Sequence, residues 1–384
     1  MIIDSMLQDD LYKFTMQQCV FRQYPKTTVK YKFTCRNKNI KLGFLANQVQ
    51  EQVNHLSQLK LTNPEYKYLS SLGFFQVDYL NYLSNFKYNT DDVTIVDNDG
   101  QLDITISGLW LNTILYEVKI LSIVNELYFK ETTDFPTIKG RGIQNLKDKI
   151  NLIYQYPTLT IAEFGTRRRY SRDWQKYVYQ ELIKHCSQVI GTSNIKLAMD
   201  TNTIPIGTMA HEMFSAHLSL VDNIQEAQKR ALYVWLETYG VNLGIALADT
   251  FTSNAFFNDF DIVLAREFSG VRHDSGDAIQ FGRNVIDHYK KLGIDPKTKS
   301  IVFSDGLDIP TAINIFKEFT GLIGVSFGIG TNLTNDLSVT PLNIVIKLIE
   351  CNGKPVVKLS DNPSKAMGDL EMIEKVKTAY GVKS

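Results

Sequence analysis

The chain has 384 residues, with 41 Lys and Arg against 41 Asp and Glu, and therefore a formal net charge of zero. That balance leaves no global field to draw in nucleic acid or an anionic membrane, so any basic site must be local. The length exceeds one ordinary domain, which predicts either two domains or a large (β/α) barrel with an appended domain.

Cys19, Cys35, Cys186 and Cys351 are scattered, with no C-x-x-C pair. This indicates neither a zinc site nor a disulfide framework, and it fits a reducing, cytoplasmic setting. Met1–Asp10 lacks the basic start and apolar core of a signal peptide.

In chain order, Leu11 to Tyr24 reads as a helix and Thr28 to Thr34 alternates like a strand. Val93–Val96 and Leu102–Ile106 flank Asn98-Asp-Gly100, a strong hairpin signal. The apolar stretch from Leu109 to Phe129 is interrupted by Glu117, Lys119 and Glu126, which predicts a buried amphipathic helix rather than a membrane span. Residues 1–120 thus read as an α+β domain, completed by 335–384.

From about Thr158 short apolar runs alternate with helical patterns, and 121–334 reads as a (β/α) barrel-like domain. The runs are Leu159–Ala162, Gln188–Ile190, Ile204–Ile206, Leu243–Leu247, Phe268–Val271, Ser300–Phe303 and Leu322–Phe327. Helices are predicted at Arg172–His185, Ile224–Thr238, Ala278–Lys291 and Ile309–Phe319. The barrel is preferred over a doubly wound sheet because many polar residues follow the strand ends, where barrel enzymes build their sites. After Leu342, Asn343–Glu350 and Val356–Leu359 flank Asn352-Gly353 and predict a further antiparallel hairpin.

The chemistry-bearing residues sit at those strand ends. Glu163-Phe-Gly-Thr-Arg-Arg-Arg169 follows the first run, and guanidinium forks there are receptors for carboxylate or phosphate. Phe164 beside Arg167 would suit a flat aromatic acid, although a solvated basic turn weighs about as much for any one arginine. Gly328-Ile-Gly330-Thr331 reads equally as a backbone cradle for phosphate or as a plain turn. Asp274 and Asp305, the latter followed by Gly306, could hold sugar hydroxyls or a Mg²⁺ ion on a polyphosphate. For Asp277 and Asp308 helix capping is preferred. His211 lies in Gly207-Thr-Met-Ala-His-Glu212, and its spacing to His217 rejects a H-E-x-x-H zinc protease. It could act as base or nucleophile with Asp249 as its orienter, although local features alone favour a structural histidine.

Taken together, the chain resembles the nicotinate phosphoribosyltransferases from Leu7-Gln-Asp-Asp-Leu-Tyr-Lys13 to Lys358-Leu-Ser-Asp361. The motifs that carry the resemblance are Phe164–Arg169, Gly191-Thr-Ser-Asn194, Gly207–Glu212, Arg272-His-Asp-Ser-Gly276 and Phe327-Gly-Ile-Gly-Thr331. It implies an irregular (β/α) barrel of the type II phosphoribosyltransferase kind with a second α+β domain. It also implies synthesis of nicotinate mononucleotide and pyrophosphate from nicotinate and phosphoribosyl pyrophosphate in NAD salvage, coupled to ATP with Mg²⁺. His211 matches the family's transiently phosphorylated histidine. Asp249 and Asp274 would complete the catalytic group. Tyr12, from the neighbouring chain of a homodimer with a shared active site, would stack opposite Phe164. Ser193 stands where amide-using relatives carry aspartate. Arg167 would pair with the carboxylate and Arg272 would line the same pocket. Arg36, Asp305, Gly306, Gly328, Gly330 and Thr331 would form the phosphate region. A nicotinamide or quinolinate phosphoribosyltransferase is the alternative enzyme, and a catalytically silent nucleotide-binding regulator is the alternative class.

Overall fold

In the computed structural model, which describes residues 1–382, the strands fall into two sheets. In chain order they are β1 (Thr28–Cys35), β2 (Val93–Asn98), β3 (Gln101–Leu109), β4 (Ile161–Glu163), β5 (Val189–Thr192) and β6 (Ile204–Pro205). They continue as β7 (Ile245–Leu247), β8 (Gly270–His273), β9 (Ser300–Phe303), β10 (Gly324–Ile329), β11 (Ile344–Cys351) and β12 (Lys354–Pro355).

The antiparallel sheet runs β12-β11-β1-β3-β2. Its β2–β3 hairpin turns at Asp99 and Gly100, both at positive φ, which is what the Asn-Asp-Gly signal demands. The second sheet is parallel throughout, in the order β6-β5-β4-β10-β9-β8-β7. It curls into an incomplete barrel, with β6 and β7 as its unpaired edges. Residues 206–210 lie over that opening, where Thr208 Oγ1 donates to the Ile245 carbonyl at 2.9 Å. The barrel is therefore irregular, as expected.

The helices over Arg172–His185, Ala278–Lys291 and Ile309–Phe319 match the sequence pattern end to end. Asp277 and Asp308 are N-caps, accepting from the Gln280 and Thr311 amides at 2.7 and 2.8 Å. The helix Phe135–Tyr154 was not anticipated. Its Gly140 and Gly142 lower helix propensity, but a Cβ on Gly142 would meet Trp174 at 2.8 Å, so close packing requires the glycine.

The second hairpin is shorter than predicted. Lys354 and Pro355 pair back onto β11, Pro355 has no N–H to give the ladder, and the Val356 amide adds one last bond to the Ile349 carbonyl at 3.0 Å. Leu359 and Ser360 instead donate to the Thr250 carbonyl, which swings Lys358 toward the barrel.

Buried ion pairs tie the two sheets together. Lys13, on the helix Leu11–Gln23, bonds both Glu117 and Glu212. Glu212 also accepts from Tyr31 at 3.1 Å and from the Trp110 indole at 3.0 Å. Lys119 pairs with Asp9. Such groups are costly to strand singly, so they fix the register of these helices against the sheets. No helix among the described residues is long and apolar enough to cross a membrane.

Candidate active site

The C-terminal ends of the parallel strands and the edge of β11 enclose a cavity of about 710 Å³. Tyr12, Arg36, Phe164, Arg167, His211, Arg272, Asp274, Asp305, Gly306, Gly328, Gly330 and Thr331 all line it. Asp249 and Ser193 do not.

The three arginines have separate fates. Arg167 is half-buried on the cavity wall and forms no ion pair or side-chain hydrogen bond among the described residues. Burial would lower its pKa, but Tyr12, Glu117, Asp10 and Asp274 outweigh that and hold it charged. Arg168 also lines the cavity, but it straps the loop to β11 by donating to the Ile344 carbonyl at 2.9 Å. Arg169 is 1% exposed and turned into the core against Gln175 and Glu126. The trio is thus one unpaired wall residue, one strap and one core residue.

Gly328 and Gly330 are required by close approach. A Cβ on Gly328 would sit 3.0 Å from the Phe164 ring, and one on Gly330 would sit 2.9 Å from the Phe164 carbonyl oxygen. The glycine loop therefore seats the aromatic wall as well as opening its own backbone to a ligand.

Tyr12 reaches this cavity from its own chain. Ser193 Oγ donates to Asp10 Oδ1 at 2.6 Å, and the Leu11 amide donates to the Ser193 carbonyl at 2.8 Å. Together these dock the first helix onto the ends of β4 and β5. One expectation is corrected. Ser193, fully buried, does not touch the cavity but holds Asp10, which does. Tyr12 and Phe164 both line the cavity wall.

His211 opens the helix His211–Leu220. Its Nδ1 is 3.1 Å from Thr250 Oγ1, and its Nε2 is 2.9 Å from both Asp274 Oδ2 and the Lys358 ammonium. A carboxylate only accepts and an ammonium only donates, so these two contacts belong to different tautomers. With Lys358 donating, Nδ1–H faces Thr250 and Nε2 presents a lone pair. Burial and then Lys358 lower the His211 pKa to about 4, against the opposing pull of Asp249 and Asp274. Asp274 is held well below the ordinary carboxylate range: burial would raise it, but the His211 hydrogen bond and Arg272 outweigh that.

Asp249 lies behind the ring at 3.7 Å, bound to Ser275 at 2.6 Å and facing Lys358 at 3.4 Å. The direct orienter is therefore Asp274, whereas the sequence reading gave that part to Asp249. Asp305 pairs with Lys365, and Arg272 donates to the Met209 carbonyl at 3.1 Å.

Sequence reasoning missed Lys358, Lys365, Lys347, Asp10 and Thr250. Lys347 carried a visible signal, a lone charge within the apolar run Ile344–Ile349. Lys358 carried none, because only the turn at 359–361 brings it under His211.

Residues 159–384 match the nicotinate phosphoribosyltransferase (NAPRTase) family, and residues 7–125 match the N-terminal domain of the same family. The chain belongs to the nicotinate phosphoribosyltransferase family. It is 44% identical to the nicotinate phosphoribosyltransferase of Photorhabdus laumondii, over 99% of this chain and 96% of that one. It is also 44% identical to the Cupriavidus necator enzyme of that name, over 96% and 95% of the two chains. The crystal structure of nicotinate phosphoribosyltransferase from Vibrio cholerae superposes with a TM-score of 0.95 at 36% identity, covering 100% of this chain and 95% of that one. This chain is an enzyme of that family, and its irregular barrel and antiparallel sheet are the family's fold.

Proposed function

We propose that this enzyme joins the ring nitrogen of nicotinate to C1 of phosphoribosyl pyrophosphate, releasing pyrophosphate and forming nicotinate mononucleotide for NAD salvage in the cytoplasm. The observation that carries this reading is the unpaired Arg167 beside Phe164 and Tyr12. A planar ring fits the aromatic walls, and a carboxylate gives the guanidinium the partner that the protein withholds. Arg36, Arg168 and the Gly328–Thr331 loop suit the phosphate end of the same cavity.

In the transfer, the nitrogen lone pair forms the new bond to C1 while the C1–O bond to pyrophosphate breaks. Positive charge grows at C1 and negative charge on the leaving group, and the cavity's cations stabilise the latter. No side chain needs to attack the sugar.

ATP coupling belongs to His211. His211 lines the cavity, which supports a ring nitrogen taking the γ-phosphoryl group as ADP leaves; water later releases inorganic phosphate. The depressed pKa keeps the ring neutral and its lone pair available at pH 7. The phosphoryl charge would lie at a helix N-terminus, beside Lys358.

Mg²⁺ fits as an ion carried by the polyphosphate. His211, Asp249 and Asp274 converge within 4.8 Å, but the Lys358 ammonium already occupies that position. Asp305, half-buried on the cavity wall, would meet the incoming ion by giving up its pairing with Lys365.

The test is product formation from nicotinate, phosphoribosyl pyrophosphate and Mg²⁺, with and without ATP, using nicotinamide and quinolinate as alternative acceptors. Nicotinate mononucleotide should form, faster with ATP. Equal or better use of nicotinamide or quinolinate would refute the reading.

A further inference from the structure

Glu163 ends β4 immediately before the loop that carries Phe164 and Arg167, and it is fully buried. Those two side chains line the cavity, whereas Glu163 is not part of its wall. Its carboxylate accepts from the Gly165 amide and from Thr192 Oγ1, and both of its oxygens accept from Gln175 Nε2 at 3.2 Å. These partners are a backbone amide, a hydroxyl and a carboxamide, none of them charged. The Thr192 oxygen takes the Asn194 amide at 3.1 Å, which leaves the hydroxyl proton for Glu163. A buried carboxylate bonded only to neutral groups is costly, and a full shell of donors is what makes it tolerable.

That shell reaches the loop at three places. Gly165 is bonded directly. Gln175 extends the hold, because the same Nε2 donates to Thr166 Oγ1 at 3.1 Å and its Oε1 accepts from Arg169 at 3.2 Å. Asn194 Nδ2 also donates to Thr166 Oγ1, at 3.3 Å. On its other side Gly165 is clamped by Thr334, whose hydroxyl donates to the Gly165 carbonyl at 3.0 Å. A Cβ on Gly165 would overlap the Thr334 side chain and lie 2.8 Å from Glu163 Oε1. Phe164 is held independently, by its amide on the Ile329 carbonyl at 2.9 Å and by its packing against Gly328. Residues 165, 166 and 169 therefore depend on Glu163, and Arg167 sits among them with no side-chain bond of its own among the described residues.

We propose that Glu163 is a positioning residue for the acceptor site of this enzyme: its buried carboxylate fixes the loop so that the Arg167 guanidinium meets the acid beside Phe164. The inference rests on the reading of Arg167 as the receptor for the carboxylate of nicotinate. Glu163 touches no substrate and acts through Arg167. Burial pushes its pKa up to about 7 while the Thr192 and Gly165 bonds pull it down, so the ionised form prevails at pH 8.

The experiment is a double-mutant cycle at pH 8 on wild type, Glu163→Gln, Arg167→Gln and the double variant, measuring kcat and KM for nicotinate and phosphoribosyl pyrophosphate. In Glu163→Gln, either orientation of the new amide sets its NH2 against a donor, and the loop must shift. A misplacement of about 1 Å costs on the order of a hundredfold, so the KM for nicotinate should rise roughly 10- to 100-fold. The kcat and the KM for phosphoribosyl pyrophosphate should stay within about threefold. KM does not depend on the folded fraction of the sample. In the Arg167→Gln background the same substitution should move the KM for nicotinate by less than about threefold, because the residue it acts through is gone. An unchanged KM in Glu163→Gln, an equal rise for phosphoribosyl pyrophosphate, or the same rise in both backgrounds would overturn the proposal. Thr192→Val and Thr192→Ser serve where Glu163→Gln fails to fold. The first loses the hydroxyl that holds Glu163 and should raise the KM for nicotinate, the second keeps it and should not, and equal values in the two would overturn the proposal as well. If Arg167→Gln alone leaves the KM for nicotinate unchanged, the reading of the acceptor has failed and the proposal falls with it.

Discussion

Replacing Arg167 and Arg169 by glutamine, one at a time, separates binding charge from structural charge within a single loop. Arg167 has no direct ion-pair partner, so Arg167→Gln breaks no salt bridge; it removes repulsion from Arg168 and Lys347 and also the attraction of Glu117, Asp10 and Asp274. Stability should stay within about 1 kcal/mol of wild type. Catalysis should suffer, because in the proposed reading the fork would make two charge-assisted bonds to the acid, together about 3 to 5 kcal/mol. At about 1.4 kcal/mol per tenfold, kcat/KM for nicotinate should fall roughly a hundredfold to a few thousandfold, while that for nicotinamide barely moves. Arg169→Gln should behave oppositely. Arg169 is 1% exposed and lies 3.5 Å from the Glu126 carboxylate, so its loss should cost on the order of 3 kcal/mol of stability and leave the nicotinate to nicotinamide ratio intact. Thermal melts and steady-state kinetics on purified variants read both axes. If Arg167→Gln retains the acid preference, or if Arg169→Gln loses it without losing stability, the division of labour argued here is wrong.

Three further outcomes are expected. With His211 at about 4, the ATP-dependent rate should persist at pH 5.5, where an ordinary histidine would be roughly nine-tenths protonated. In the same sense His211 and His217, both lowered to about 4, refuse protons that the unfolded chain accepts below 6.5. Stability should therefore fall as pH drops from about 6.5 toward 4, by up to about 3 kcal/mol per histidine, and His217→Gln should shallow that slope in melts taken across the window. Gly330→Ala puts a Cβ 2.9 Å from a backbone oxygen that cannot swing aside, so Phe164 should shift and activity drop about 100-fold with little loss of fold; normal kinetics would show the loop to be tolerant.

Periodicity made the barrel readable. Four-residue strands such as Ser300–Phe303 are short, largely apolar runs with one face buried and the other half-buried, and the helices between them carry caps such as Asp277 and Asp308. Polar clusters at strand ends located the site for the same reason. What was not readable depends on contacts distant in sequence. Asp249 and Asp274 are equally good orienters of His211 on paper, and only the packing of β7 against β8 brings Asp274 to 2.9 Å. Ser193 was misread because its partner, Asp10, lies 183 positions away. The docking of the first helix on Ser193, which brings Tyr12 to the cavity, is likewise invisible to any local pattern.

The neutral net charge and the anionic substrates are reconciled by which charges are already spoken for. Around the cavity, Glu117 and Glu212 are held by Lys13, Asp10 by Ser193, Asp274 by His211 and Ser304, Asp305 by Lys365, and Asp336 by Lys149. The facing cations are not matched in this way. Arg167 and Lys347 have no ionic partner among the described residues, Arg272 finds only a carbonyl, and Arg36 finds only the Met367 sulfur. A chain with 41 charges of each sign thus presents a cationic interior at one place, without the long-range field that would gather nucleic acid. Because those cations are unpaired before binding, an incoming carboxylate or phosphate displaces water rather than an internal ion pair. An acceptor without a charge, such as an amide, cannot compensate them, so selectivity for the acid follows from the absence of internal partners as much as from the presence of Arg167.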